Sequence, residues 1–208
     1  MTVAEEQGTP LAVHGEWLTL LEDLLAGVVH ASNNAITALT VLLELTAMDD
    51  GEVFDQPLLT REFARLQSLV ATTGLLSGRS TRPEALEIRV VLDVAVGIHA
   101  HHRHLCDIEC IVQQRGVLLP VRVPRSELLR LLLLMIDAAK RARTRGAAVV
   151  ILSGDSAEIT LQVVSNLEPG DELRAFAESC GGGVHQVDGA LRFELPSLLT
   201  LRQRARTP

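Results

Sequence analysis

A chain of 208 residues can fold as one compact domain or two small ones, and this one carries no Tyr, one Trp and four Phe. Its core must therefore be Leu, Val, Ile and Ala, a composition suited to helix packing. A formal net charge of −7 argues against nucleic acid as the main partner, since neutralising phosphates along a duplex or strand needs a broad basic face.

The opening MTVAEEQGTP is acidic and lacks the basic and apolar regions of a secretory signal, so residues 1–13 read as a tail. No uninterrupted apolar run approaches the roughly 20 residues of a membrane span. The longest candidate, Leu128 to Ala139, is too short and is flanked by arginines. Three unevenly spaced cysteines do not make a disulfide framework. Together these features describe a reduced, soluble, cytoplasmic protein with no membrane partner.

From His14 to Met48 a heptad seam follows alternating steps of three and four: Leu18, Leu21, Leu25, Val28, Ser32, Ala35, Leu39, Leu42 and Thr46. The flanking Leu24, Val29, Ala31, Ile36, Ala38, Leu43 and Leu45 are small or apolar too, a stripe as wide as a four-helix bundle needs. DDGEVFDQ breaks the pattern, and Pro57 opens a second helix to about Leu76 with its own seam of Leu59, Phe63, Leu66, Val70 and Thr73. A short connection makes the two helices antiparallel neighbours. Two helices cannot enclose such a core, so the expectation for residues 14–77 is a hairpin that homodimerises into four helices.

SGRSTRPEA, from Ser77 to Ala85, reads as a linker. Beyond it the chain predicts a helix from Val90 to about Cys106, a strand in GVLLPVRVP, and a helix from Arg125 to Arg143 capped by Ser126 or the preceding turn. AAVVILSG and EITLQVVSN pair as a hairpin around GDSA, ELRAFAESCGGG is a helix stopped by glycines, and VHQVDGALRFELP is a second hairpin turning at Asp188-Gly189. Residues 83–200 thus form an α/β sandwich, residues 201–208 a frayed tail, and the whole chain an α+β protein.

The stretch HASNNAI inside the first helix is the candidate site. Ser and Asn are mediocre helix formers, and the heptad places His30 and Thr37 on its outward position, with Asn33 and Asn34 on the two other outer positions. His30 neighbours Asn33 and Asn34 across one turn. Ala26 and Gly27, one turn earlier, promise low ground on which a partner could approach the imidazole. A single exposed histidine is also ordinary solvated surface, and both readings stand at this point. A second cluster, HAHHRHLCDIEC, sets His101, Cys106 and Cys110, or His102 and Cys106, at steps of four or five residues, as one helix face could for a metal. No second ligand group with paired spacing accompanies it, Cys180 and His185 being isolated, so the reading there is a solvated helix end with buried cysteines and no metal. Cys180 reads as a small core residue.

LAGVVHASNNAITALTVLLEL, Leu25 to Leu45, resembles the phosphoacceptor helix of bacterial sensor histidine kinases in His30, Asn33, Asn34, Ile36 and Thr37. It departs at Ala31, where that family has an acid. RPEALEIRVVLDVAV, SELLRLLLLMIDAAKRA and ESCGGGVHQVDGALRFELP resemble parts of the same kinases' ATP-binding domain. The Mg²⁺-binding Asn is absent, with Asp137 near its place, and LEPGDELRAFAE is too short for the glycine loops and lid. The pattern resembles that of the kinase-derived histidine phosphotransferases, the ChpT type: dimers with a phosphoacceptor hairpin and a degenerate ATP-binding-like domain.

That resemblance implies a phosphorelay intermediate in a bacterial two-component system. His30 is the phosphoacceptor, Asn33, Asn34 and Thr37 support it, and Ala26, Gly27, Asn33, Asn34 and Thr37 meet the partner. The partners are response-regulator receiver domains and an upstream histidine kinase. No cofactor is implied, because the receiver brings its own Mg²⁺ and no ATP is bound. The alternative is a pseudokinase whose His30 is never phosphorylated and which binds or regulates a histidine kinase. An ATP-dependent kinase with an unusual site is the third reading.

Overall fold

The computed structural model describes residues 15–48, 56–78, 80, 82–143 and 146–204. Helix α1 (Gly15–Met48) and helix α2 (Gln56–Ser77) form the N-terminal hairpin; the turn acids Asp49 and Asp50 lie outside the described residues. Val28 and Ala31 close on Leu69, while Leu20 and Leu24 share a core with Leu76, so the helices run antiparallel.

The seam differs from the expected one. The buried line of α1 is Trp17, Leu20, Leu24, Val28, Ala31, Ala35 and Leu39, whereas Leu18 and Thr46 are exposed and Leu21, Leu25, Ser32 and Leu42 are half-buried. On α2 the inward residues are Glu62, Leu69, Thr72 and Leu76, and the expected Phe63, Val70 and Thr73 face outward. A helix with small or apolar residues around most of its circumference fits two adjacent registers equally well. The choice is made by Trp17, Leu20 and Leu24, which sink into the core of the α/β part. What remains outside is an apolar track of Val29, Ile36 and Leu43 on α1, seven residues apart, matched by Phe63 and Val70 on α2. Gly15–Thr46 is also long and apolar enough to cross a membrane by length and composition. Glu22, Asp23, Asn33 and Asn34 hide that from a search for uninterrupted runs.

The remainder runs β1 (Pro83–Leu86), α3 (Ile88–His99), β2 (Cys110–Gly116), β3 (Val121–Pro124), α4 (Arg125–Arg141), β4 (Ala148–Gly154), β5 (Glu158–Val164), α5 (Asp171–Ser179), β6 (Gly183–Val187), β7 (Ala190–Pro196) and α6 (Leu198–Arg204). A five-stranded sheet has the order β2-β4-β5-β7-β6, with β2 and β4 parallel and the other pairs antiparallel. Its inward rows are in register: Leu152 faces Leu161, which faces Phe193, and Val150 faces Val163, which faces Leu191. Such cross-strand rows stabilise a sheet and present one apolar face. Helix α4 covers that face and is itself buried nearly all round, from Leu128 to Ala139, because α3, α5 and α1 pack against it as well.

The two hairpins stand where the sequence puts them. Asp188 (φ 49°) and Gly189 (φ 73°) make a turn with both central residues left-handed, the geometry that Asp-Gly favours. Helix α5 ends in a Schellman arrangement, with Gly182 N–H donating to Ala177 O (3.0 Å) and Gly181 N–H to Glu178 O (2.8 Å). The expected helix over Val90–Cys106 stops at His99 instead. The ring of His102 accepts the backbone N–H groups of His104 (3.1 Å) and Leu105 (3.2 Å), competing with helical hydrogen bonds. Strand β2 was not foreseen, since an edge strand that turns only alternate residues inward and carries Gln113, Gln114 and Arg115 alternates weakly. Ser126 does not cap α4. Its hydroxyl donates to Ser80 O (2.7 Å) and accepts Ser80 N–H (3.0 Å), strapping the linker to the helix, while the last linker residues form β1 against β3. Residues 201–204 belong to α6 rather than to a frayed tail.

Candidate functional site

His30 lies exposed on α1 at the mouth of a cleft of about 480 Å³ between the hairpin and the loop that follows α3. One wall is Ala26, Gly27, His30, Ala31 and Asn34 of α1 with Arg65 of α2. The other is Ala100, His101, His102, Arg103 and Cys106. Asn34 Nδ2 stands 3.3 Å from His30 Nε2. An amide nitrogen can only donate, so this contact leaves the lone pair on Nε2 and the ring proton on Nδ1. The other outward residues play smaller parts. Asn33 is exposed but does not line the cleft, and the Thr37 hydroxyl donates back to Asn33 O (2.9 Å), not toward the imidazole.

Two placements correct the sequence reading. Gly27 is not low ground for a partner: a Cβ there would land on the carbonyl of His101, so the chain's own loop already occupies that surface. The loop is tied a turn earlier by Arg103 N–H donating to Asp23 O (3.3 Å). Ala31, beside the histidine, is buried in a cluster with Val28 and Leu69, where a carboxylate would be stripped of much of its water. Of the expected partner-facing residues, Ala26 and Asn34 line the cleft with His30, and Asn33 and Thr37 stand outside it.

The histidine-rich segment is not one helix face. Cys106 is exposed in the loop and Cys110 begins β2. The structure gathers a different set: His99 and His102, both fully buried, lie 3.5 Å and 3.4 Å through their Nε2 atoms from Asp137 Oδ1, within reach of a shared ion. The donor set does not suit a metal. His102 Nδ1 accepts two backbone N–H groups and so carries no proton, and binding a metal through Nε2 would demand an imidazolate. The rings are stacked, 15° from parallel with centroids 5.0 Å apart, so their in-plane lone pairs do not converge.

The cluster is instead an ionic joint between elements. Asp137 of α4 takes Arg141 Nε at 2.6 Å, and Asp23 of α1 lies 3.6 Å from His102 Nε2 and 3.8 Å from Arg141. Burial pushes the Asp137 carboxyl up, but His99 and Arg141 outweigh it and hold the group below its ordinary value. Burial, then the neighbouring His99, lowers the His102 ring, more than Asp137 and Asp23 raise it. A histidine lowered on folding protonates first in the unfolded chain. Stability is therefore full above about pH 6.5, the unperturbed histidine value, and declines as pH falls toward the folded-state value. His102→Asn should keep the turn, since an Asn carbonyl accepts the same two N–H groups, and should flatten that decline in thermal melts between pH 7 and pH 5. An unchanged slope would place the titration elsewhere.

A second cavity, about 490 Å³, opens between the start of α1, α4 and the segment before α5. Its charged lining residues are Glu16, Asp137, Glu168 and Arg141. Glu16 lies against Gly170, and burial, then Glu172 and Asp171, raise its carboxyl. Trp17 N–H donates to Glu172 Oε2 (2.5 Å), and Arg130 sits over the Trp17 ring (5.5 Å), so α1 begins anchored on α5 and α4. Cys180 is the core residue expected of it, its thiol pushed up to about 12 by burial. Arg65, Arg103 and Asp23 escaped sequence reading because nothing in their own spacing marks them; the fold alone brings them to His30 and the histidine joint.

No protein-family model and no curated protein matches the chain. Among solved structures it is similar to the histidine kinase AdeS of Acinetobacter baumannii, with 17% identity over 80% of this chain and 96% of that one and a TM-score of 0.45. It is also similar to a bacterial phosphotransferase, with 17% identity over 89% and 97% and a TM-score of 0.43. A third is the histidine kinase ThkA in complex with the response regulator TrrA, with 17% identity over 88% and 64% and a TM-score of 0.43. All three likenesses are distant, and none assigns a role to a residue of this chain.

Proposed function

We propose that the protein is a cytoplasmic histidine phosphotransferase of a bacterial two-component phosphorelay, passing a phosphoryl group between His30 and receiver-domain aspartates without using ATP. The observation that carries this reading is the exposed imidazole whose Nε2 keeps its lone pair and opens on a cleft lined, among the described residues, by two arginines and no carboxylate. In an acidic protein, that is a place for an anion. Attack by the Nε2 lone pair on a phosphoaspartate forms an N–P bond and breaks the acyl P–O bond. The aspartate carboxylate leaves, and Nδ1 keeps its proton. Such transfer is mostly positioning and charge stabilisation, and Mg²⁺ belongs to the receiver. Against an ATP-dependent kinase stands the second cavity beside Asp137, the residue near the place of the Mg²⁺-binding Asn, where three carboxylates outnumber one arginine.

The test is transfer of labelled phosphate from phosphorylated receiver domains, with calorimetric titration of ATP and Mg²⁺ alongside. Labelling without ATP binding is expected. A chain never labelled by any receiver or kinase of its host would be the non-phosphorylated pseudokinase partner of a kinase, and micromolar ATP affinity would restore the kinase reading.

The proposal includes a homodimer. Val29, Ile36 and Leu43 with Phe63 and Val70 form the exposed apolar track that a second hairpin would cover to complete four helices. Leu39 packs within its own chain and is not the residue to probe. Ile36→Glu with Phe63→Glu should convert a dimer to monomer in sedimentation velocity, each lost side chain contributing about 1.5–3 kcal/mol and counted twice by symmetry. A monomeric wild type would remove the dimer from the proposal.

A further inference from the structure

The cleft beside His30 is built by two parts of the chain, and its charge is one-sided. Arg65 comes from α2, where Glu62 holds it (Nη1 to Oε2, 3.5 Å) with about half of its side chain, 52%, still exposed. Arg103 comes from the loop after α3, and its own backbone N–H is fastened to Asp23 O. His101 lines the same cleft as both arginines, and burial, then Arg65, lowers its ring. No carboxylate lines the cleft among the described residues: Asp23 turns toward His102, His104 and Arg141, and Glu62 pairs with Arg61 and Arg65 from outside the lining.

We propose that Arg65 and Arg103 form the two sides of a phosphoryl-binding site that holds the group carried by His30, so that the α/β part supplies half of the site. This deepens the phosphotransfer reading and rests on it for the identity of the anion. A guanidinium presents paired N–H donors that match phosphoryl oxygens and stays charged at any working pH. When Nε2 is phosphorylated it no longer accepts from Asn34, and the freed amide donates to a phosphoryl oxygen. The docking of the loop on α1 at Gly27 sets the width of the site, which explains why the phosphoacceptor helix touches the second domain there.

The experiment uses the full-length protein and inorganic phosphate, followed by the ring resonances of His30 in NMR. Millimolar phosphate should shift those resonances in the wild type. Arg65→Gln and Arg103→Gln should each weaken the effect about tenfold, the scale of one charge-assisted contact. Arg65→Lys and Arg103→Lys should restore part of it, while melting temperatures stay within a few degrees. Loading of His30 from phosphoramidate, which breaks its P–N bond and releases ammonia, should slow in the same order. If phosphate shifts wild type and Gln variants alike, or shifts neither, the inference is overturned whatever the labelling shows. If phosphate binds through the arginines and His30 is never loaded, the anion site stands and the phosphotransfer reading falls.

Discussion

His30→Ala should abolish phosphate acceptance and leave the protein otherwise intact. The substitution deletes the only imidazole on the exposed face of α1, and with it the nitrogen whose lone pair the Asn34 contact preserves. Its structural cost is small, because the ring is exposed and, among the described residues, its hydrogen bond is to Asn34. Ala is also the best helix former, so stability should stay within about 0.5 kcal/mol of wild type, as for most surface substitutions. Asn34→Ala should slow transfer about tenfold, the value of one polar contact to a charged group. Thr37→Ala should do less, since that hydroxyl is spent on Asn33 O. The measurement is phosphohistidine formed from a labelled receiver, with circular dichroism and sedimentation as controls. Labelling of His30→Ala at the wild-type rate would move the acceptor to another residue and empty the proposal of its site.

The outward placement of His30, Asn33, Asn34 and Thr37 was legible because a long amphipathic helix fixes its polar positions even when its apolar register is ambiguous. The α/β hairpins were legible for a local reason too: Asp188-Gly189 and the glycines after Ser179 demand particular turns. What could not be read were contacts between distant segments. Nothing in the neighbourhood of Asp137 announces that it will meet His99 and His102, and nothing around Arg65 announces His30. The segment HAHHRHLC misled for the same reason. Its histidines were read by helical spacing, whereas a side-chain-to-backbone turn at His102 ends the helix and re-sorts them, with His102 turning into the joint and His101 lining the cleft. Ala31 shows the reverse case. Its small size looks like a lost acid when read along the chain, and becomes a packing requirement once Leu69 is seen to cover it.

Gly27 offers the sharpest separation between the sequence's expectation and the structure. On a helix face left open for a partner, Gly27→Ala would raise stability by about 0.5–1 kcal/mol, because glycine is costly inside helices. Gly74 of α2, where an added Cβ meets nothing within 4 Å, should behave in that way and serves as the reference. At Gly27 the added carbon lands on the backbone of His101, which no rotamer change can clear, so the loop must lift away from α1. Overpacking of this kind costs about 1–3 kcal/mol, and Gly27→Leu should reach the upper end or beyond. The lift also carries Arg103 away from His30 and strains the bond from Arg103 N–H to Asp23 O. Gly27→Ala should therefore lower the melting temperature by several degrees relative to Gly74→Ala and weaken phosphate binding in the same cleft. Differential scanning calorimetry of the two variants beside wild type checks the first effect, and the His30 ring resonances check the second. Equal gains in stability for both would mean that the loop does not rest on α1 in solution, and the cleft would lose the wall that carries Arg103.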